Sequence, residues 1–163
     1  MTNTVYNLFF SYSHADKNKA LVLLNRLKDQ YSVWNDEDSM KTGNIDMIMT
    51  KGIEESEVFI CCASKNYCKL GTNSLKEFNC AIAKKKKVIY VLFDEFENFA
   101  EIEESLKPIV LNLAQELYFK HHNIDAILKA LNTLIEVSFL KKHKMFNNQF
   151  NVALIFLTLT RFR

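Results

Sequence analysis

Residues 58–93 read VFICCASKNYCKLGTNSLKEFNCAIAKKKKVIYVLF and contain a strand, a helix and a second strand. Two apolar runs, residues 58–63 and 88–93, have the length and the β-branched and aromatic content of buried strands. Residues 74–84 between them have the pattern of a helix. A strand, a helix and a strand in this order predict two parallel strands joined by a crossover helix.

The same alternation continues on both sides of this stretch. Upstream, we predict a strand at 6–12, a helix with Asp16 as its N-cap that ends near residue 29, a strand at 32–34, a loop at 35–43 and a helix at about 44–54. Downstream, we predict a partly helical segment near 102–115, a strand at 116–119 and a helix at 123–137. This alternation specifies the α/β class, with a parallel sheet covered by helices on both faces.

Composition limits the chain to one compact domain and excludes several functions. The 163 residues include only three glycines and one proline, so most of the chain must lie in regular structure. Residues 1–136 hold 16 of the 21 basic residues and all 19 acidic ones, a net charge of −3. Nucleic-acid binding is therefore not expected, because it needs clustered basic contacts to phosphates.

The sequence also lacks the marks of secretion or membrane insertion. No basic and apolar leader begins the chain, and the apolar run at 152–159 is too short to span a bilayer, so we expect a cytoplasmic protein without a transmembrane segment. The four cysteines show no paired C-x-x-C spacing, and we expect inert thiols and no metal. We expect His14, His121 and His122 to be surface residues for the same reason of spacing.

Ligands of parallel α/β sheets bind beyond the carboxyl ends of the strands. That rule nominates residues 11–14 after the first strand, residues 36–43 after the second and residues 64–73 after the third. Glu77 lies one turn into the next helix, beside the same edge. The three glycines are isolated from one another, so no glycine-rich loop for phosphate can be written.

Several of these residues together resemble a TIR domain, the Toll/interleukin-1 receptor homology module. The matching residues are FFSYS at 9–13, SVWND at 32–36 with Gly43 seven residues after Asp36, SKNY at 64–67, Glu77 ahead of an apolar helix, and the strand at 88–93. The resemblance covers roughly residues 5–135. It implies a flavodoxin-like three-layer fold with a five-stranded parallel sheet, a mobile loop after the second strand, and homotypic or heterotypic TIR–TIR contacts.

One branch of this family cleaves NAD+ between nicotinamide and ribose. By its place in the motif, Glu77 matches the catalytic glutamate of that branch. A carboxylate at the ribose would stabilise the oxocarbenium charge that develops as the bond breaks, and nicotinamide leaves as a neutral molecule without an acid. The resemblance implies NAD+ as the substrate, no further cofactor, and a substrate-binding set of Ser11, Tyr12, Ser13, Trp34, Asp36, Lys41, Gly43 and Asn73. The alternatives are a core position for Tyr12, a capping or turn role for Asp36 and a solvated Lys41.

Two functional hypotheses follow from the resemblance. The first is an NAD+ glycohydrolase or cyclase that is activated by TIR–TIR self-association, with the loop at 36–43 both gating the pocket and contacting a neighbour. The second is a non-catalytic module that recruits other TIR proteins in innate-immune-type signalling. Glu77 and Tyr12 favour the enzyme, whereas Asn73 stands where many enzymatic members carry tryptophan and favours the module.

The remaining expectations concern single features of the chain. Residues 1–137 are assigned to the TIR-like domain, and residues 138–163 to a basic and apolar tail that contacts the domain, a partner or an anionic membrane surface. Lysines 84–87 are expected to oppose the negative end of the third helix. Trp34 is also expected to pack in the core, and Glu77→Gln, as a surface change, is expected to leave the melting temperature almost unchanged.

Overall fold

The computed structural model describes residues 6–35, 45–109 and 118–142 and confirms the α/β alternation. The strands are β1 (Tyr6–Ser11), β2 (Val33–Trp34), β3 (Ser56–Ala63), β4 (Lys87–Leu92) and β5 (Tyr118–Lys120). The helices are α1 (Lys17–Lys28), α2 (Ile45–Glu55), α3 (Asn73–Ala83), α4 (Phe99–Ser105) and α5 (Ile124–Lys142), and a 3-10 turn (His14–Asp16) precedes α1. The elements lie within a few residues of their predicted bounds, apart from α5, which is longer. Helix α4 covers the start of the partly helical segment predicted near 102–115, and residues 110–115 of that prediction lie outside the described residues.

The five strands form one parallel sheet in the order β2-β1-β3-β4-β5. This is the strand order of flavodoxin-like sheets, and it confirms the predicted fold class. The chain moves outward from β1 to β2 on one side and from β3 to β5 on the other. The loops after β1 and β3 therefore diverge, and a crevice for ligands forms at this switch point.

The central strands are buried on both sides because α/β crossovers cover both faces of a parallel sheet. Leu8, Phe9 and Phe10 on β1 are at most 1% exposed, and so are all six residues from 58 to 63 on β3. The aromatic rings of Phe9 and Phe59 stack across the two strands with centroids 5.2 Å apart. Burial of these apolar side chains supplies the main favourable free energy of folding.

Two of the lysines at 84–87, Lys84 and Lys86, contact the C-terminal end of α2. The Lys86 ammonium donates to the carbonyl oxygens of Glu54 and Ser56 at 2.7 Å each, at the C-terminal end of α2. The Lys84 ammonium lies 2.5 Å from the Glu54 carboxylate and holds the pKa of that carboxyl below its usual value. Lys84 is also the C-cap of α3, so the lysines follow the end of α3, as predicted, and two of them also contact the end of α2.

The described residues divide into two compact units. Residues 6–122 contain the whole sheet, and residues 123–142 contain α5. Helix α5 continues to Lys142, so the proposed start of the tail at residue 138 falls within the helix. Among the described helices, none combines the length and the apolar character that a bilayer crossing requires.

Candidate functional site

Ser11, Tyr67 and Glu77 meet at the switch point of the sheet. Ser11 ends β1, Tyr67 lies in the loop after β3, and Glu77 projects from α3. The Ser11 hydroxyl donates to Glu77 Oε2 at 2.5 Å, and the Tyr67 hydroxyl lies 2.7 Å from Ser11 Oγ. All three side chains are buried, with exposures of 3% or less. The structure thus brings together two predicted site residues, Ser11 and Glu77, and adds Tyr67.

The proton positions in this group follow from the donors available. Serine has one hydroxyl proton, and Ser11 directs it to the carboxylate of Glu77. The Tyr67 hydroxyl must therefore donate to Ser11 Oγ. Burial, together with the nearby Cys61 and Glu77, raises the pKa of the Tyr67 phenol well above its usual value, so Tyr67 stays a neutral donor. The Tyr67 hydroxyl therefore donates to Ser11, and the Ser11 hydroxyl donates to Glu77, so that each bond in this chain strengthens the other.

The start of α3 sets where Glu77 points. Gly71 adopts a φ of 83°, which glycine accepts without strain, and Thr72 caps the helix by accepting from the Leu75 N–H at 3.4 Å. Thr72 and Ser74 also donate their hydroxyls to the Tyr67 carbonyl, at 3.2 and 3.3 Å. The same turn therefore holds both Tyr67 and the first residues of the helix that carries Glu77.

The burial of Glu77 corrects one expectation from the sequence. Glu77 is the fifth residue of α3, beyond its first turn, and is 3% exposed rather than a solvated surface residue. The sequence pattern of the helix did not reveal this burial, because a glutamate is almost never fully buried unless it is paired. The nearby polar residues Lys76 and Asn79 are indeed exposed. Ser11 of β1 and Tyr67 of the loop after β3 lie against the carboxylate and contribute to its enclosure.

Asp16 forms a second buried polar group that supports the first. It occupies the predicted N-cap position of α1, but its side chain makes no capping hydrogen bond. Its carboxylate instead accepts from Ser64 Oγ at 2.5 Å and from Asn66 Nδ2 at 3.3 Å. Ser64 Oγ in turn accepts from the Tyr67 N–H at 3.0 Å. Asp16 therefore positions the loop that carries Tyr67, a role that spacing along the chain could not indicate.

The other nominated residues have separate environments. Tyr12 is buried beside Phe10 and meets the His14 ring edge-on, while the Ser13 carbonyl accepts from the Asp16 N–H at 2.8 Å. Asn73 is exposed as the first residue of α3. Asp36, Lys41 and Gly43, with the loop assigned to gating, lie outside the described residues.

Trp34 lies in the hydrophobic core. Its ring stacks on Phe9 with centroids 4.3 Å apart and planes inclined by 14°, and it is 4% exposed. On its other side it covers Gly52 of α2, where an added Cβ would lie 2.5 Å from Trp34 Cε2. These contacts give Trp34 the packing role that was the alternative to substrate binding.

The cysteines are free thiols, as expected. Cys61, Cys62 and Cys68 are buried, and Cys80 is partly exposed. Burial raises the pKa of Cys61 and Cys62 well above the usual value, and burial with a smaller effect of Asp94 raises that of Cys68 to about 12. Since the thiolate is the reactive form, these three thiols are chemically inert at neutral pH.

Alkylation should report this difference between the thiols. At pH 8, iodoacetamide should add no more than one label to the folded protein, at Cys80, and four after denaturation. Mass spectrometry of intact and digested protein measures the number and position of the labels. Rapid labelling of Cys61 or Cys68 in folded protein would contradict the closed core around the Tyr67 loop.

Comparison with known proteins places this arrangement in a family. A family model described as the TIR domain matches residues 8–134. No curated protein sequence matches the chain significantly. Among solved structures, the chain is similar to the crystal structure of the TIR domain of the Toll-related receptor TRR-2 from Hydra magnipapillata. The TM-score is 0.57 at 17% identity, over 80% of this chain and 96% of that one. The strand order and the family match together show that this chain belongs to the TIR domain family.

Proposed function

We propose that this protein is an NAD+ glycohydrolase or cyclase in which Glu77 is the catalytic residue. The observation that supports this most is the carboxylate of Glu77 at the β1/β3 switch point, with the Ser11 hydroxyl 2.5 Å from Oε2. This is where the fold class binds ligands. A carboxylate at that place can face the ribose of a bound dinucleotide.

The proposed chemistry needs one negative charge held in a fixed place. Cleavage of the bond between nicotinamide and ribose develops positive charge on the ribose, and a carboxylate of low mobility stabilises it. Ser11 and Tyr67 orient the carboxylate, and their burial lowers the local dielectric constant, which strengthens its electrostatic effect. Nicotinamide leaves neutral, so no acid is required; water or the adenine ring of the substrate then completes hydrolysis or cyclisation.

The activity can be regulated through the access of NAD+ to the Glu77 carboxylate. In the single chain its exposure is 3%, so NAD+ can reach the carboxylate only after a local rearrangement. We propose that TIR–TIR association favours the accessible conformation, because binding to a partner shifts a conformational equilibrium by its difference in affinity for the two forms. The four free cysteines support a cytoplasmic location for this activity.

Specific activity should therefore rise with protein concentration. The test incubates NAD+ with the protein over a range from dilute to crowded conditions and measures nicotinamide, ADP-ribose and cyclic ADP-ribose by chromatography. Light scattering on the same samples records self-association. Activity that is present but independent of concentration would remove the role of association, while the ratio of the two ribose products distinguishes hydrolysis from cyclisation.

The alternative is a non-catalytic interaction module. Its specific support is the same hydrogen bond, since Glu77 and Ser11 also fasten α3 to β1 inside the core. The exposed Asn73 at the start of α3 is compatible with contact to another TIR protein. If the folded and self-associated protein releases no nicotinamide at any concentration, this function replaces the enzymatic one.

A further inference from the structure

Strands β4 and β5 end side by side, and three metal-binding side chains follow them. Leu92 at the end of β4 pairs in register with Lys120 at the end of β5. Glu95 lies three residues beyond β4, while His121 and His122 directly follow β5. The His121 N–H donates to the Leu92 carbonyl at 3.0 Å, which keeps the two chain segments adjacent as they leave the sheet.

The ligand atoms of these side chains are close enough for one ion. Glu95, His121 and His122 each offer one ligand atom, and these atoms lie within 4.8 Å of one another. Glu95 Oε1 and His122 Nδ1 are 4.0 Å apart. Bonds of zinc to nitrogen and oxygen are about 2.0–2.2 Å, so a tetrahedral ion needs its ligands about 3.4 Å apart. The exposed side chains of Glu95 and His122 can close this difference by rotation.

We propose that Glu95, His121 and His122 bind one Zn²⁺ ion at this end of the β4–β5 pair. Two imidazoles and one carboxylate are a donor set that zinc prefers, and three protein ligands leave at least one position for water. His121 is held by its ring contact with Phe93, whose centroid is 5.8 Å away. Its Nδ1 is shielded from solvent and makes no hydrogen bond within the described part of the chain.

One positive charge lies near the cluster. Lys120 is the nearby base, with its ammonium 3.5 Å from Glu95 Oε2. That contact uses the other carboxylate oxygen, so Oε1 can ligate the ion while Lys120 stays on Oε2. No pattern in the sequence indicated the site, because two adjacent histidines have no ligand spacing of their own. The missing ligand, Glu95, comes from the loop after the neighbouring strand.

The ion would tie the edge of the sheet together. Strand β5 has only three residues and pairs with β4 alone in the described sheet, so few hydrogen bonds hold it. An ion shared by the segments after β4 and β5 would cross-link the two strand ends. This role is separate from the chemistry of Glu77, which lies at the β1/β3 switch point.

The test is a metal titration of the full chain, purified without a histidine tag and treated with chelator. Co²⁺ should bind at one equivalent with the visible absorption of a four-coordinate ion, Zn²⁺ should displace it, and Zn²⁺ should raise the melting temperature. Glu95→Gln and His122→Ala should each weaken binding by at least about a hundredfold, since loss even of groups that only orient ligands costs 10–100-fold. His14→Ala, at an exposed histidine outside the cluster, should bind like the wild type.

The substituted residues are solvent-exposed, so both variants should keep the fold, which circular dichroism checks. Unchanged affinity in either variant would overturn the proposal. So would the absence of binding, or an intense near-ultraviolet thiolate-to-cobalt band, which would assign the ion to a cysteine.

Discussion

Glu77→Gln should lower the rate of nicotinamide release by concentrated protein at least about a hundredfold, the effect of losing one electrostatic group of the transition state. Glutamine keeps the size of the side chain and can still accept the hydrogen bond from Ser11, but it carries no charge to stabilise the ribosyl cation. Binding of NAD+ should weaken much less, because the charge develops mainly in the transition state. Initial rates and equilibrium binding measure the two effects separately.

The same substitution should also lower the free energy of unfolding. Glutamine still accepts the hydrogen bond from Ser11, but a buried hydrogen bond to a neutral group contributes about 0.5–1.5 kcal/mol, whereas one to a charged group contributes about 1.5–3 kcal/mol. We therefore expect a loss of about 1 kcal/mol. This replaces the expectation from the sequence of an almost unchanged melting temperature. Rates must therefore be compared well below the unfolding of both proteins, at equal folded concentration.

Two variants separate catalysis from structure. Ser11→Ala removes the hydrogen bond and keeps the buried carboxylate, so it should lower stability more than Glu77→Gln and reduce the rate far less. Glu104→Gln removes an exposed carboxylate of α4 and should change neither property. If Glu77→Gln releases nicotinamide as fast as the wild type, Glu77 only fastens α3 to β1 and the catalytic assignment is wrong.

Gly52→Ala should destabilise the fold by about 2 kcal/mol, although alanine is the better helix former. The new Cβ would lie 2.5 Å from Trp34 Cε2 and 2.7 Å from Nε1. Trp34 cannot withdraw because its ring already stacks on Phe9 at 4.3 Å. Overpacking of this kind costs about 1–3 kcal/mol or more, which exceeds the gain in helix propensity of about 1 kcal/mol. Chemical denaturation measures the difference.

The double variant identifies the cause. In a Trp34→Leu background the smaller side chain should make room for the Cβ, so that Gly52→Ala becomes neutral or stabilising; the coupling is read from the double-mutant cycle. Lys51→Ala tests the same helix at an exposed neighbouring position and should have little effect. An equal loss in both backgrounds would mean that Trp34 is not the obstacle.

Much of the fold could be predicted because its determinants are local. Apolar runs such as residues 58–63 have the length and the β-branched and aromatic content of buried strands, and their alternation with helical segments permits few topologies. The same apolar runs show where each strand ends. The sequence alone therefore assigns Ser11 and Glu77 to the carboxyl edge of the sheet. The bounds of the elements were less predictable: α5 extends to Lys142, five residues beyond its predicted end at residue 137.

The sequence by itself determined the layers, the parallel sheet and the edge at which polar residues gather, because hydrophobic periodicity and crossover handedness act on neighbouring residues. Only the tertiary structure decided which polar groups meet. It enclosed Glu77 with Ser11 and Tyr67, directed Asp16 to Ser64, and set Glu95 beside the two histidines. Ser11 is 56 and 66 residues from Tyr67 and Glu77, Asp16 is 48 residues from Ser64, and Glu95 is 26 residues from His121. Their approach depends on how the strands pair and how each loop packs. No local pattern carries that information.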